Sequence, residues 1–289
     1  MSAHRQVNAA RRSSRPTRKA KLGQNFLIDT SEARRIVDAL GQISDSVVVE
    51  IGPGRGVLTR LLVDRAGFVI ATELDEQLAR QLRAMFAEQE NVEIVQANFL
   101  NVSLLELLKR HPQASGAQRV RVVGNIPYYI TSDILLRLFQ QHELIDTIVL
   151  MVQKEVADRV AAAPGSRDYG LLTVTAQLHT DVERLFTLPP GAFSPAPQVH
   201  SSVLRLRIAP KAGRLYVDVQ AFLGFCKRAF AQKRKTLVNN LRGKYPAEMI
   251  WEAIRGSGVE ANARAEALSL EELAEIYRRL SLVAQAPLG

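Results

Sequence analysis

Val47-Val48-Val49-Glu50-Ile51-Gly52-Pro53-Gly54-Arg55-Gly56 is the stretch that decides the fold. Its β-branched first half predicts a strand, and a helical pattern begins just beyond it, at about residue 57. Between them glycine occupies every second position. Glycine reaches backbone conformations closed to other residues and lets a ligand approach the main chain closely. A strand that runs into such a loop and then a helix marks the carboxyl edge of a parallel α/β sheet.

The next strand-like run, Phe68–Glu73, ends in an acid, where folds of this kind hydrogen-bond ribose hydroxyls. Loop and acid together fit either a dinucleotide or S-adenosylmethionine. Two details favour the latter: the glycines read G-x-G-x-G rather than G-x-G-x-x-G, and Glu50 stands directly before the loop. A third run, Val92–Gln96, leads into Ala97-Asn98-Phe99 and offers Asn98 to an adenine edge. An ordinary tight turn is the competing reading. The strand, the loop and the acid in sequence argue against it.

Outward from here the pattern repeats. Strand-like runs at Val120–Gly124 and Ile145–Val152 continue the series, with helical intervals at about 57–65, 75–89, 102–110 and 131–141. Strands alternating with helices predict a parallel sheet covered on both faces. A helix is expected before the series, from about Asp29 or Thr30, ended by Gly41. Leu171–His179 and Ser201–Ile208 read as two more strands, added antiparallel at the sheet edge around the Pro-rich loop Leu188–Pro197. Beyond about Arg214 only helices are expected, at roughly 217–231, 233–242, 246–256 and 269–281. The expected division is a basic arm over 1–22, an α/β domain over 23–213 and a smaller helical domain over 214–289.

The fourth strand stops at Asn125-Ile126-Pro127-Tyr128. Pro127 fixes its own φ and pushes Ile126 toward an extended conformation, so the turn is stiff. It holds an amide and an aromatic ring at one strand terminus. An amide oxygen can accept an N–H bond and an aromatic face can stack on a flat heterocycle, which together suit a nucleobase with an exocyclic amine.

Charge sharpens the reading. The net charge is +9 over 289 residues, and it is unevenly placed. Residues 1–28 hold seven Arg/Lys and no acid, and residues 205–244 hold eleven against the single acid Asp218, so the rest of the chain is net acidic. Such polarisation is the electrostatic footprint of a polyanion. Arg205, Arg207, Lys227, Arg228, Lys233, Arg234, Lys235 and Arg242 are the expected phosphate contacts, with Lys233–Lys235 beside a helix start; a merely solvated basic surface is the alternative. The single cysteine, Cys226, lies in an apolar stretch and excludes an internal disulfide, while the five histidines show no metal-ligand spacing, so no metal is expected. No apolar run approaches a membrane span. A cytoplasmic protein is expected, although an Arg/Ser-rich acid-free arm also fits an organelle transit peptide.

Taken with the turn, the chain resembles the rRNA adenine N6,N6-dimethyltransferases of the KsgA type. The resemblance covers nearly everything after about Lys19. It rests on Gly23-Gln24-Asn25-Phe26-Leu27, Glu50–Gly54, Glu73-Leu74-Asp75, Gly124–Tyr128, Gln153-Lys154-Glu155-Val156, Tyr169-Gly170, the run Ala192-Phe193-Ser194-Pro195 continued by Pro197 and Val199, Lys233–Thr236, and Arg264-Ala265-Glu266. It implies a Rossmann-like class I methyltransferase sheet, mostly parallel with an antiparallel edge, and a C-terminal all-helical RNA-binding domain. It implies S-adenosyl-L-methionine as cofactor and small-subunit rRNA, or a pre-ribosomal particle, as partner of a monomeric enzyme.

By the same resemblance Asn25, Leu27, Gly52, Gly54, Glu73 and Asn98 would contact the cofactor, and Asn125 would lie between the two ligands. Tyr128 and Phe193 would sandwich the target adenine. The Asn125 oxygen and the Ile126 or Pro127 carbonyl would accept the N6 protons. The chain departs from the family at Asn98, usually Asp, which implies weaker cofactor binding without loss of function, and at Tyr129 and His200, usually Asn and Asp. Two rivals remain: a large-subunit rRNA adenine methyltransferase of the antibiotic-resistance type, and a non-catalytic ribosome-assembly or transcription factor on the same fold.

Overall fold

The computed structural model describes residues 25–110 and 119–285; the basic arm lies outside them, as do Gly23 and Gln24. Strand β1 (Phe26–Leu27) and helix α1 (Thr30–Asp38) precede an alternating series: β2 (Val47–Ile51), α2 (Val57–Val63), β3 (Phe68–Glu73), α3 (Glu76–Met85), β4 (Val92–Gln96), α4 (Leu104–Arg110), β5 (Val120–Asn125), α5 (Thr131–Gln140) and β6 (Ile145–Gln153). Two caps set the helix starts. Asp29 accepts from the N–H groups of Ser31 and Glu32, and Asp75 does the same for Gln77 and Leu78. Strands β2 and β3 are buried at every residue, as expected of central parallel strands with helices on both faces.

Helices α6 (Lys154–Val160) and α7 (Leu171–His179) then lead into β7 (Thr180–Leu188), a short β8 (Phe193–Ser194) and β9 (Ser201–Ile208). The seven-stranded sheet runs β4-β3-β2-β5-β6-β9-β7, parallel through β6 and antiparallel at β9 and β7; a two-stranded ribbon pairs β1 with β8. Both the mostly parallel sheet and its antiparallel edge are thus as read from the sequence. Gly124 on β5 leaves no room for a side chain, since a Cβ there would lie 2.7 Å from the carbonyl oxygen of Ile51 on β2.

One segment corrects the sequence reading. Leu171–His179 is the helix α7, and the edge strand begins only at Thr180. Thr173 accepts the N–H of Gly170 on its hydroxyl oxygen, and Thr175 turns its hydroxyl back onto the carbonyl of Leu171. The helix is buried on two sides: Ala176 joins the core under the sheet, while Val174 and Leu178 join the core of the C-terminal helices. A helix covered on both sides loses its polar stripe, and its Thr/Val content then mimics a strand. Helix α1 also ends earlier than expected, at Asp38, and Gly41 lies beyond it with φ +76.

The C-terminal part contains α8 (Ala212–Leu215), α9 (Val219–Ala229), α10 (Leu237–Leu241), α11 (Ala247–Ser257) and α12 (Leu270–Gln285). Helix α10 is shorter than expected: Thr236 caps it, so Lys233–Lys235 lie in the preceding turn. Phe222, Phe225, Leu237, Ile254 and Leu273 form its core together with Tyr169 from the loop before α7. No described helix is long and apolar enough to cross a membrane.

Candidate active site

The carboxyl ends of β2, β3, β4 and β5 open into one cleft. It is lined on one side by Asn25, Phe26, Gly52, Gly54, Glu73, Leu74 and Asn98, and on the other by Asn125 through Ile130 and by Ile134. The glycine loop shapes its floor. Gly52, Gly54 and Gly56 all have positive φ, at 67, 58 and 78, a region costly for any other residue. A Cβ on Gly52 would meet only the carbonyl of Asn125, at 4.0 Å, so the main chain is bare toward the cleft. On Gly54 a Cβ would lie 2.9 Å from the Phe26 ring.

Glu73 is held beneath this loop and is only 3% exposed. One carboxylate oxygen accepts the N–H of Gly54 at 3.0 Å and the other accepts that of Asp75 at 2.9 Å. Burial raises its pKa, against the pull of those N–H groups. Each carboxylate oxygen keeps a lone pair, which is the acceptor set a ribose diol needs. Asn98 is exposed at the end of β4, and its Oδ1 accepts the N–H of Leu100 at 3.1 Å. The bare loop, the acid and the amide fit a nucleoside cofactor.

Across the cleft, Asn125 donates its Nδ2 to the carbonyl of Asn25 at 2.9 Å. That bond consumes one amide hydrogen and turns Oδ1 the other way. Ile126 is buried and donates its N–H to Met151 on β6. The Pro127 carbonyl accepts the N–H of Ile130 at 3.2 Å and lies 3.4 Å from the Thr131 hydroxyl. Tyr128 is half-buried, with its hydroxyl 2.8 Å from that of Ser201, and burial raises its pKa.

Two expected residues are not brought to the cleft. Leu27 is 4% exposed and packs in the core under β2, so its neighbour Phe26 faces the ligand side instead. Successive strand side chains point oppositely, and a two-residue strand gives no pattern from which to tell which one faces in. Phe193 pairs with Leu27 across the β1–β8 ribbon, is 3% exposed and joins the same core. Phe26 also carries the guanidinium of Arg55 over its ring at 4.6 Å.

A family model described as ribosomal RNA adenine dimethylase matches residues 15–282. The chain belongs to that family. Among curated relatives, the ribosomal RNA small subunit methyltransferase A of Koribacter versatilis is 55% identical over 94% of this chain and 98% of its own. That of Acidobacterium capsulatum is 53% identical over 91% of each. Among solved structures, the 23S rRNA methyltransferase ErmE superposes with a TM-score of 0.68 at 29% identity, covering 89% of this chain and all of its own. A dimethyladenosine transferase from Plasmodium falciparum gives 0.72 at 22% identity over 87% of this chain and 95% of its own, a likeness of fold.

The chain therefore has the class I methyltransferase fold, and its basic surface can be sorted. Arg205 is bonded to Glu183 through both Nε and Nη2, and Arg207 lies 3.9 Å from the same acid. Both belong to β9, where Glu183 on β7 faces them across the sheet edge and pairs closely with Arg205. Lys227, Arg228, Lys233, Arg234, Lys235 and Arg242 are all exposed on the C-terminal helices and their turns. Lys233 alone of these shows a side-chain hydrogen bond among the described residues, to the carbonyl of Arg167 at 3.1 Å. Unlike the two on β9, none of these six is ion-paired to an acid among the described residues.

Glu50 has a role that the sequence marked only by position. It is 1% exposed and accepts the hydroxyl of Thr59 on α2 at 2.6 Å, tying the strand below the glycine loop to the helix after it. Burial, aided by the charge of Glu73, pushes its pKa up to about 8. The folded state thus keeps this proton while the unfolded chain gives it up near 4.5. Stability from this group is full below that value, and it falls as pH rises toward 8. Glu50→Gln, which is neutral at every pH, should flatten the dependence over that window and raise the melting temperature at pH 8. Parallel pH-dependent thermal melts check this, and an unchanged slope would refute it.

Proposed function

We propose that this enzyme transfers methyl groups from S-adenosylmethionine to N6 of adenosine in small-subunit rRNA. The product would be N6,N6-dimethyladenosine near the 3′ end of that rRNA, formed during ribosome assembly. The observation that carries the reading is the Asn125 amide, oriented by Asn25 at the border between the nucleoside half of the cleft and Tyr128.

The cofactor would supply an activated methyl group. Gly52, Gly54, Glu73 and Asn98 would hold it, with Phe26 in the place expected of Leu27. The chain's remaining task is positioning. The N6 lone pair is delocalised into the purine, so acceptors for its two protons favour a pyramidal nitrogen aimed at the methyl. The Asn125 Oδ1 is one acceptor. The Pro127 carbonyl already meets two donors, the Ile130 N–H and the Thr131 hydroxyl, so we assign the second to the carbonyl of Ile126. Tyr128, tethered through Ser201, offers a stacking face to an adenine that has left its own stack. Stacking by Phe193 requires the β1–β8 ribbon to open.

We read residues 23–213 as the methyltransferase unit and 214–289 as the RNA-binding unit. Reversing Lys233, Arg234 and Lys235 to Glu should weaken RNA binding and flatten its salt dependence, by roughly 0.7 of a log–log slope for each phosphate no longer neutralised. The same changes at Arg205 and Arg207 should leave that slope alone. Filter binding across a salt series separates the two sets, and equal slopes in all variants would refute the assignment.

The 29% identity to a 23S rRNA methyltransferase keeps a large-subunit target as a second reading. Labelled methyl transfer to undermethylated small and large subunits, with the base identified by mass spectrometry, decides. Dimethyladenosine on the small subunit is expected. Label on the large subunit would overturn the proposal in favour of the second reading, and RNA binding without label would leave a non-catalytic factor.

A further inference from the structure

We infer that Tyr129 is a lid over the adenine ring of the cofactor, a positioning residue for the nucleoside half of the cleft. Among the cleft-lining residues, Leu74 at 49% and Tyr129 at 61% are the exposed large hydrophobics. The Tyr129 side chain makes no hydrogen bond or ring contact with a described residue that would account for an aromatic there. An exposed aromatic on a ligand cleft presents a flat apolar face together with a polar tip that stays in water.

Its place on the chain says which half of the cleft it serves. Tyr129 lies in the turn Tyr128–Ile130, which runs directly into α5. Ile130 at the end of that turn and Ile134 in the first turn of α5 also line the cleft, and α5 packs against the turn Phe99–Asn101 that follows β4. After passing Asn125, the chain therefore returns toward the ends of β3 and β4, where Leu74 after β3 and Asn98 and Phe99 after β4 line the nucleoside side. Tyr128 is held the other way by Ser201 on β9.

An adenine at that end would have apolar walls from Leu74, Ala97 and Phe99, and an edge partner in Asn98. That partner is a neutral amide whose oxygen also serves Leu100, so its bond to an exocyclic amine lacks charge assistance. A stacked Tyr129 ring would cover the outer face of the adenine and offset part of that weakness.

The inference rests on S-adenosylmethionine being the cofactor, and its test needs neither RNA nor turnover. Wild type, Tyr129→Ala and Tyr129→Phe would be titrated by calorimetry with S-adenosylhomocysteine and with 5′-methylthioadenosine, which keeps the nucleoside but lacks the amino-acid end. Tyr129→Ala should raise both Kd values about tenfold, within the range of a lost base–aromatic stack, and Tyr129→Phe should restore both. The KM for RNA should not move. Equal Kd values for wild type and Tyr129→Ala would overturn the lid, as would a loss seen only in the KM for RNA, which would assign the ring to the substrate. A wild type that bound neither ligand would instead overturn the cofactor reading beneath it.

Discussion

Asn125→Ala is expected to lower kcat by about two to three orders of magnitude, the cost typical of removing one preorganised polar group from a reacting centre. Its KM for RNA should change little, because the side chain contacts one amine of a large substrate. The size of the effect follows from how the amide is held. The bond from Nδ2 to the Asn25 carbonyl sets Oδ1 without help from either ligand, so no ordering cost falls on the reaction itself. Asn125→Asp gives a sharper comparison. It keeps an acceptor but loses the donor, and it places a carboxylate against the Asn25 carbonyl, so the anchor becomes repulsive. Both variants should be slow under single-turnover conditions with saturating cofactor. A near-wild-type rate in either would remove Asn125 from the chemistry.

Much of this site is legible in the sequence because its elements are local. The glycine loop, the acid at the end of β3 and the Asn125 turn each announce themselves within a few residues. All of them sit at strand ends that the α/β alternation brings to one edge. What local pattern cannot supply is which face a side chain takes when the element is too short, or covered on too many sides, to show a period. On a two-residue strand Phe26, not Leu27, is the residue that lines the cleft. Helix α7 reads as a strand because both its faces are buried. The main-chain carbonyl of Asn25 is invisible to any reading of side chains, yet it orients Asn125 from a hundred residues away. Arg205 and Arg207 count toward a basic run in sequence, but in the fold Glu183 lies across the sheet from them.

Phe193 carries the second large expectation, because sequence and structure assign it different work. The resemblance places its ring on the target adenine, whereas the fold buries it with Leu27, Leu188 and Ala192. The adjoining Ala192 carbonyl accepts the N–H of Ile28, locking the ribbon against the start of α1. Phe193→Ala should therefore destabilise the protein by about 3–5 kcal/mol, as a truncated buried aromatic does, and denaturant midpoints measure this directly. Phe193→Leu retains most of the apolar volume and should lose far less stability while removing the π-face. If the ring is only core, Phe193→Leu turns over at the wild-type rate. If the ribbon opens and the ring reaches the base, Phe193→Leu keeps its denaturant midpoint but loses kcat/KM by about tenfold or more, the effect of one missing base stack. A stable, active Phe193→Leu enzyme would leave Tyr128, held by Ser201, as the ring that positions the adenine.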